Sequence, residues 1–298
     1  MTPSRRLSVS LSFDFDATSL WIQSTANPAA ISRGEFCAVA VPRILSLLAR
    51  HEVRATFFIP GHTALAYPEV VRKIAEADHE IGHHGWVHEN PADFDEAGER
   101  RVLDLGFRAL EQAADVRPIG YRSPSADLSA RTIGLLAEYG LLYDSSCAAS
   151  DFTPYYQRVG DRFGKDEPFR FGESIDLVEM PFSWLLDDYP HLEFEPGWST
   201  EQSSPNTVRD IWQAEFDFAY DEVPGGTFGL CMHPQVIGRG SRLRMLERLI
   251  EHMQRPGVVF EPLSEGARRW RQENPLEEWV ATAPVQARRP QFEIEWTA

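Results

Sequence analysis

Residues 7–17 read LSVSLSFDFDA, a strand-like run that ends in two acidic side chains, Asp14 and Asp16. On a strand, side chains two positions apart point to the same face, so these carboxylates lie side by side. A strand built only for burial would avoid this arrangement, because an unpaired buried charge costs much free energy. One explanation is a metal site, in which one carboxylate binds the metal and the other is a general base for a water whose pKa the metal lowers towards ~7. The alternative is an exposed strand end with two solvated acids.

The rest of the chain repeats the same kind of segment. Short apolar runs bounded by turn residues alternate with helical patterns, which is typical of βα units rather than of an all-β or all-α chain. After 7–16, the candidate strands are 54–59, 79–84, 117–122, 140–144, 176–181, 227–233 and 257–261. About eight strands, each followed by a helix or a long loop, fit a barrel of parallel strands better than an open sheet. We therefore predict a single α/β domain over residues 1–298.

Helices between the strands are marked by apolar stripes and by capping residues. One stripe consists of Leu103, Phe107, Leu110 and Ala114, and another of Leu243, Leu246, Leu249, Ile250 and Met253. Residues at these spacings share one helix face, so both stripes are predicted to pack into the core. Pro68 is predicted to open a helix, and Ser129 to cap a helix that runs to Tyr139 and closes at Gly140.

Two long segments with little periodicity, 145–175 and 187–205, are predicted loops. Loops of this length in a compact domain are usually functional, so we expect them to wall a site. Aromatic residues in this region would close over a small substrate or pack a subunit interface. They are Phe152, Tyr155, Tyr156, Trp184, Tyr189, Phe194 and Trp198. In the tail 262–298 we expect a helix followed by an arm, which either contacts another subunit or is loosely attached.

Four of the nine histidines fall within ten consecutive residues: His79, His83, His84 and His88. His84 and His88 are four positions apart, so on one helical turn both imidazoles would face the same point, as two ligands of a metal must. Alone, such a pair is more often a surface or core feature than a metal site. Combined with the acidic pair that ends the first strand, it favours a metal site.

The composition limits the partners and the compartment. The 298 residues include 29 Lys and Arg against 45 Asp and Glu, and the net charge of −16 disfavours nucleic acids and anionic membranes as partners. No apolar run approaches the ~20 residues that span a bilayer, and the N-terminus lacks the features of a secretory signal. The three distant cysteines argue against a disulfide framework and a thiolate zinc site. We expect a cytoplasmic protein.

Several blocks of sequence between residues 8 and 255 carry a more specific signal. They are SFDFDA (12–17), ATFFIPGHTA (55–64), EIGHHGWVHENP (80–91), GYRSPS (120–125), LLYDSS (141–146) and MHPQ (232–235). In this order and spacing they resemble the polysaccharide deacetylase superfamily, the NodB-homology or carbohydrate esterase family 4 group. The resemblance implies a distorted (β/α) barrel of about seven to eight parallel strands. It also implies a hydrolase of carbon–nitrogen bonds other than peptide bonds.

The resemblance assigns roles to the residues singled out above. Asp14 corresponds to the general base, while Asp16, His84 and His88 correspond to the ligands of one divalent metal, with zinc favoured. Arg122 corresponds to an arginine that holds the base by charge-assisted hydrogen bonds, for which its fork geometry is suited.

Further roles follow from the later blocks. His233 corresponds to the general acid, since a histidine of near-neutral pKa suits protonation of a leaving amine. Asp187 or Asp188 could orient His233, and the alternative for this acidic pair is a solvated turn. Asp151 is another candidate for the acidic partner. Trp184 resembles the tryptophan that walls the acyl pocket.

Ser123 and Pro124, next to Arg122, are predicted to contact substrate together with Asp151 and Trp184. The sequence departs from the commonest family pattern in two places: Phe15 separates the aspartates, with Ala17 in place of glycine, and Gly85 replaces the usual Ser or Thr. These features resemble a subgroup that includes intracellular peptidoglycan-deacetylase-like proteins, cyclic imide hydrolases and an allantoinase. Some members have replaced the metal ligands, but here all three stand.

We expect the substrate to be a small intracellular amide or cyclic imide. One alternative is N-deacetylation of peptidoglycan or another N-acetylated polysaccharide. A second is a non-catalytic carbohydrate-binding protein on the same fold, although pure binding requires neither a base nor an acid. A homo-oligomer is also expected, without nucleic-acid or membrane partners.

Overall fold

A nine-stranded sheet organises the fold. The computed structural model describes residues 7–25, 27–166, 168–194 and 202–282, and every element below lies in these ranges. The strands are β1 (Leu7–Asp14), β2 (Thr56–Ile59), β3 (Glu80–His83), β4 (Gly120–Tyr121), β5 (Tyr143–Asp144), β6 (Tyr155–Val159), β7 (Glu173–Glu179), β8 (Thr227–Met232) and β9 (Val258–Phe260). Their order is β6-β7-β5-β4-β3-β2-β1-β8, with β9 also paired to β1. Every pairing is parallel except that of β6 with β7.

Strand β1 lies at the centre of the sheet. It pairs with β8 along residues 8–13, with β9 along 7–9 and with β2 along 12–14. All eight of its residues are buried. Strands covered on both faces are typical of parallel sheets in α/β proteins. The strand therefore carries the acidic pair at its end from the core to the carboxyl edge of the sheet.

Helices connect and surround the strands. The α-helices of the described residues are α1 (Ser19–Ser24), α2 (Pro28–Glu35), α3 (Cys37–Arg50), α4 (Gly61–Ala66), α5 (Pro68–Glu76), α6 (Glu96–Ala114), α7 (Thr132–Glu138), α8 (Asp188–Leu192), α9 (Pro205–Glu222), α10 (Pro234–Ile237), α11 (Gly240–Met253), α12 (Leu263–Glu273) and α13 (Leu276–Thr282). Short 3₁₀ helices occur at Pro91–Asp93, Pro124–Ala126 and Trp184–Leu186. None of these helices is both long and apolar enough to cross a bilayer.

The predicted helical signals are found on α5, α6, α7 and α11. The stripes on α6 and α11 bury Leu103, Phe107, Leu110, Leu246, Leu249, Ile250 and Met253. Pro68 opens α5, as predicted. At the start of α7, the Ser129 hydroxyl accepts hydrogen bonds from the backbone N–H groups of Arg131 (3.0 Å) and Thr132 (3.2 Å). Gly140, which follows the helix, has a φ of 74° that suits glycine.

The expectation of a distorted barrel is confirmed. Eight of the nine described strands take part in parallel pairing, and the curled sheet is open between its edge strands, β6 and β8. The chain after β7 narrows this opening, because Asp187 forms a parallel bridge with Cys231 on β8. This bridge brings the chain before α8 against the strand that precedes His233.

Both predicted loops contain regular structure. Strand β6 lies within 145–175, and β7 begins at Glu173 rather than at 176. β6 is antiparallel and only partly buried, with a register shift between Tyr156 and Arg158, so its sequence shows neither a continuous apolar run nor clean alternation. Helix α8 lies within 187–205. Residues 195–201, with Trp198, and the predicted arm from 283 onward lie outside the described residues, whereas the predicted helix after 262 is α12.

Gly120 on β4 is required because its register partner on the neighbouring strand β5 is Tyr143. A Cβ at this position would lie 2.0 Å from Cζ of Tyr143, a fully buried ring whose hydroxyl donates to Glu80 Oε1 (3.0 Å). We expect Gly120→Ala to lower the free energy of unfolding by about 1–3 kcal/mol, as overpacking of a core does. Urea denaturation followed by tryptophan fluorescence measures the change.

Gly134→Ala on α7 is the matched control. Its nearest contact is Cγ1 of Val159 at 4.0 Å, so the added methyl group meets no obstacle. Because glycine is unfavourable within a helix, the free energy of unfolding of this variant should rise by about 0.5–1 kcal/mol. Equal stability of the two variants would contradict the assigned packing of Tyr143.

Candidate active site

The carboxyl ends of β1, β3, β4 and β8 meet at one cavity of about 460 Å³. Catalytic groups of βα barrels are found at this end of the strands. The cavity is lined by Asp14, Asp16, Leu20, Ser24, His88, Asn90, Arg122, Ser123, Ser125, Ala126, Phe182, Trp184, Asp187, Tyr189 and His233. Polar groups from the strand ends thus face apolar side chains from the connecting segments.

The acidic pair is buried. Asp14 ends β1 with 4% of its surface exposed, and Asp16 is fully buried. The backbone N–H of Phe15 donates to the carbonyl of Phe58 (2.8 Å), so the strand pairing with β2 continues past Asp14. Both carboxylates line the cavity while Phe15 is buried in the core, as the two-residue period of a strand predicts. The alternative of an exposed strand end is therefore wrong.

His84 and His88 come together on a loop, so the helical turn expected from their spacing is wrong. Strand β3 ends at His83, and the loop turns through Gly85 (φ 70°) and His88 (φ 65°). A non-glycine residue in this conformation costs roughly 1–3 kcal/mol and persists only where its surroundings determine it. Glu89 supplies such a determinant, because its carboxylate accepts the N–H groups of Trp86 (2.8 Å) and Val87 (2.5 Å). The two imidazole centroids lie 5.2 Å apart.

Asp16, His84 and His88 form a set that fits a divalent cation. Asp16 Oδ1 lies 3.3 Å from His84 Nε2, and Asp16 Oδ2 lies 3.9 Å from His88 Nε2. Both Asp16 oxygens and His84 Nε2 are buried without a hydrogen-bond partner among the described residues. A buried polar atom left in this way costs about 1–3 kcal/mol, and a bound cation would satisfy all three. His84 Nδ1 donates to the carbonyl of Arg122 (2.7 Å), which leaves the lone pair of Nε2 free for a metal.

The protonation states of Asp16 and His88 also suit a metal. Although burial alone would raise the pKa of Asp16, the neighbouring His88 and His84 lower it to about 2. Burial lowers the pKa of His88 to about 4. An ionised carboxylate and a neutral imidazole are the forms that bind metals. Two histidine nitrogens and one carboxylate are ligands that zinc accepts.

Arg122 fixes the position of Asp14 through hydrogen bonds. One terminal nitrogen of its guanidinium donates to Asp14 Oδ1 (2.8 Å) and to the Ser12 hydroxyl (2.8 Å). Its Nε donates to the carbonyl of Ser145 (2.9 Å), and its other terminal nitrogen donates to the Ser145 hydroxyl (2.9 Å). Cys231 Sγ lies 3.4 Å from the guanidinium and 3.5 Å from Asp14 Oδ2. The carboxylate of Asp14 is thus fixed from several directions.

His233, directly after β8, is held by an acidic pair. Its ring Nδ1 donates to Asp188 Oδ1 (2.8 Å), and its backbone N–H donates to the same atom (3.0 Å). Asp187 Oδ1 lies farther from Nδ1 (3.7 Å) and accepts the N–H of Tyr189. Both aspartates are buried, so the alternative of a solvated turn is wrong. Burial opposes protonation of His233, but Asp187 and Asp188 together raise its pKa well above the usual range.

The four predicted substrate contacts take different positions. Trp184 lines the cavity with 45% of its surface exposed and contacts Phe182 edge to face. Ser123 also lines the cavity, and Pro124 is buried at the start of a 3₁₀ helix. Asp151 is exposed, and its carboxylate accepts the N–H of Phe152 (2.7 Å). It is not among the described residues that line the cavity.

Several residues of the site escaped the sequence analysis. Ser12 lies two positions before Asp14 on the same strand face, which is a signal the pattern contained. Glu89 directly follows a predicted ligand, but its backbone contacts depend on a loop that spacing alone did not reveal. Ser145 and Cys231 meet Arg122 only through the order of strands in the sheet. Tyr189, by contrast, was among the aromatic residues predicted to close over a substrate, and it contacts the ring of His233, with centroids 5.2 Å apart.

Comparison with known proteins points to the polysaccharide deacetylases. Residues 8–143 match the polysaccharide deacetylase family model. The peptidoglycan deacetylase of Helicobacter pylori is 35% identical over 289 residues, covering 91% of this chain and 98% of that protein. A crystal structure from Mycobacterium smegmatis, assigned to the polysaccharide deacetylases, has a TM-score of 0.80 at 36% identity and covers 92% of this chain and 93% of its own. An allantoinase crystal structure, with the same coverage, shares the fold with a TM-score of 0.75 at 22% identity.

The fold and the site define a hydrolase of the NodB-homology superfamily that acts on carbon–nitrogen bonds. Within it, the chain belongs to the polysaccharide deacetylase family. Deacetylases of this family use a divalent metal, and the described residues include a set of candidate ligands.

The role of Glu89 in shaping the histidine loop can be tested by Glu89→Gln. The amide offers one acceptor where two backbone N–H groups need one each, so His84 and His88 should lose their fixed geometry. We expect zinc affinity to fall by about 10- to 100-fold, as for other residues that orient metal ligands. Competition with a chromophoric chelator measures it.

Glu99→Gln is the matched control. Glu99, on α6, is also buried but accepts the hydroxyls of Ser129 and Thr132 at the start of α7, and it contacts none of the candidate ligands. Its replacement should leave zinc affinity unchanged. Equal affinity of Glu89→Gln and the unmodified protein would show that the loop holds its shape without the carboxylate.

Proposed function

We propose that this hydrolase uses one divalent metal, zinc in the first instance, bound by Asp16, His84 and His88. The partnerless atoms of Asp16 and His84 support this assignment. So does the hydrogen bond from His84 Nδ1, which fixes the tautomer that a metal requires.

One observation carries the catalytic proposal: a base and an acid each lie beside this ligand set. Asp14 Oδ2 is 3.9 Å from His84 Nε2, and His233 Nε2 is 3.9 Å from Asp16 Oδ2. Each is held by a buried partner, Asp14 by Arg122 and His233 by Asp188. A protein that only binds sugar needs no such pair, so the arrangement counts against a non-catalytic binding protein.

The residues then divide the reaction between them. A bound divalent cation supplies Lewis-acid chemistry, polarising a carbonyl and lowering the pKa of a water. Asp14 removes a proton from the attacking water, and Arg122 holds its carboxylate in place by a charge-assisted hydrogen bond. His233, charged through its contact with Asp188, gives a proton to the departing nitrogen. Burial of these groups strengthens each of these interactions.

For the substrate, we propose a small amide or cyclic imide. The cavity of about 460 Å³ has the size of a small-molecule pocket. Leu20, Phe182, Trp184 and Tyr189 give it an apolar wall, which suits an uncharged ring or a short acyl group.

The alternative substrate is an N-acetylated polysaccharide such as peptidoglycan. The name of the Helicobacter pylori relative favours it. The half-exposed Trp184 at the cavity also offers a ring on which a sugar could stack.

We also propose a compartment and an assembly for the enzyme from its cysteines and its exposed aromatic residues. All three cysteines are free, as in a reducing compartment such as the cytoplasm. Exposed aromatic side chains, including Phe163 and Phe169, would be covered in a homo-oligomer. We also propose that the whole chain acts as a single catalytic domain.

Asp14→Asn tests the assignment of the base. The amide cannot accept a proton, so kcat should fall by about 100- to 10,000-fold. The ligands are intact, so zinc content should stay at one equivalent by elemental analysis. A variant with near-native turnover would remove Asp14 from the mechanism.

His84→Ala and Asp151→Asn complete the comparison. The first removes a ligand and should lose both metal and activity. The second changes an exposed aspartate outside the cavity and should change neither. Full zinc content in His84→Ala would contradict the ligand set.

A substrate panel separates the two proposed classes. Succinimide and related cyclic imides, short N-acetyl amides, and N-acetylglucosamine oligomers are compared by kcat/KM with zinc-loaded protein. We expect the imides or small amides to be preferred by at least about tenfold, a difference of about 1.4 kcal/mol in transition-state binding. The reverse preference would favour the polysaccharide.

A further inference from the structure

Behind Arg122 lies a second pair of buried acids, Asp144 on β5 and Glu179 on β7. They are register partners on neighbouring parallel strands, and neither has any exposed surface. Neither lines the catalytic cavity. Burying two carboxyl groups next to each other is unfavourable unless hydrogen bonds and a shared proton compensate.

The pair is tied to the turn that follows β5. Glu179 Oε1 accepts the backbone N–H groups of Ser146 (2.9 Å) and Cys147 (2.8 Å). Asp144 Oδ1 accepts the Ser146 hydroxyl (2.7 Å). That hydroxyl oxygen in turn accepts the backbone N–H of Ser123 (2.9 Å), the residue after Arg122. The two acids therefore determine the conformation of residues 145–147.

The same turn binds the guanidinium of Arg122. Ser145, directly before the anchored residues Ser146 and Cys147, accepts two of the guanidinium hydrogen bonds through its carbonyl and hydroxyl oxygens. The remaining bonds of Arg122 reach Asp14 and Ser12. The acid pair is thus linked to Asp14 in three steps: hydrogen bonds to Ser146 and Cys147, the backbone of the turn to Ser145, and the hydrogen bonds of Arg122 to Ser145 and Asp14.

The acid pair is not arranged to hold a metal, even though Cys147 lies close enough to make a third ligand. The side-chain amide nitrogen of Gln157 lies 2.5 Å from Glu179 Oε2, 3.4 Å from Asp144 Oδ2 and 3.3 Å from Cys147 Sγ. This amide group, a hydrogen-bond donor, therefore occupies the position that a cation bound by the three side chains would take. Burial raises the pKa of both acids, that of Glu179 well above its usual value because Asp144 adds to the effect. Both shifts favour a proton shared between the two carboxyl groups.

We propose that Asp144 and Glu179 are positioning residues for the base, acting through the turn 145–147 and Arg122. This inference rests on the proposed function, in which Asp14 is the base. The pair touches no reacting atom. It keeps the guanidinium in the one orientation that holds Asp14 toward the ligand set.

Glu179→Ala and Glu179→Gln test this role. Alanine leaves the N–H groups of Ser146 and Cys147 without their acceptor, so kcat should fall by about 10- to 100-fold, as when a supporting residue of a metal site is lost. KM and zinc content should stay unchanged. Glutamine keeps an acceptor for both N–H groups and can donate to Asp144, so kcat should return to within about threefold, less than 1 kcal/mol in the barrier.

Glu80→Ala is the matched control. Glu80 is also a carboxyl group of raised pKa that accepts a backbone N–H, from Ser264, but it lies at the start of β3, away from the cavity. Its replacement by alanine should lower the free energy of unfolding without changing kcat. A comparable loss of kcat in Glu80→Ala would mean that general destabilisation explains the effect, and would overturn the proposal.

A double-mutant cycle with Arg122→Lys tests the route. Lysine lacks the forked guanidinium that reaches both Ser145 and Asp14. In the Arg122→Lys background, Glu179→Ala should therefore lower kcat little further. Additive losses would overturn a route through Arg122. If Glu179→Ala does not fold, Ser146→Ala removes only the hydroxyl between Asp144 and Ser123, and should lower kcat by about fivefold, the worth of one hydrogen bond. Unchanged kcat in that variant would also overturn the proposal.

The two proposals fail in different ways. An active protein that requires Asp14 but retains full kcat in Glu179→Ala would refute the positioning role alone. A protein that hydrolyses none of the panel, or in which Asp14→Asn is fully active, would refute the proposed function itself.

Discussion

Two carboxylates buried at the end of the central strand set the condition that the rest of the site must meet. Asp14 and Asp16 are removed from water, and neither charge is tolerable there without compensation. Arg122 supplies it for Asp14 through an ion pair of 2.8 Å. Around Asp16 the compensation comes from His84, His88 and His233, and the partnerless oxygens show that these alone do not complete it. The compensating side chains come from the carboxyl ends of β3, β4 and β8, which meet the end of β1 at the cavity.

The sequence predicted the parts of the fold whose burial is simplest. Strand β1, buried on both faces, and the apolar stripe of α6 gave clear periodic signals. Strand β6 gave none, because it is a half-buried antiparallel strand at the edge. For the same reason the segment 145–175 looked structureless, although the turn that holds Arg122 lies at its start. Short helices such as α8 are too brief to show a period.

The candidate site was predicted mainly by resemblance, with the geometry added by the structure. The carboxylates of Asp14 and Asp16 share a face because side chains two positions apart on a strand point the same way, as predicted. His84 and His88 converge for a different reason than expected, since a loop with two left-handed residues replaces the helical turn. The choice between Asp187 and Asp188 could not be made from sequence, because adjacent residues differ only in the direction their side chains take from the backbone. Asp151 was a reasonable candidate by order along the chain, but the fold places it outside the cavity.

Helix α8 joins two parts of the site that could otherwise have varied independently. Within five residues it carries Asp188, which holds the acid, and Tyr189, which walls the cavity and contacts the same imidazole. An insertion or deletion here would displace the proton donor together with the substrate wall. During divergence of the family, changes in substrate preference through α8 should therefore proceed by side-chain replacement at constant length. Length variation is more easily accommodated in the connection between β6 and β7, because it leads into the start of β7 and so lies at the end of the parallel strands opposite the cavity.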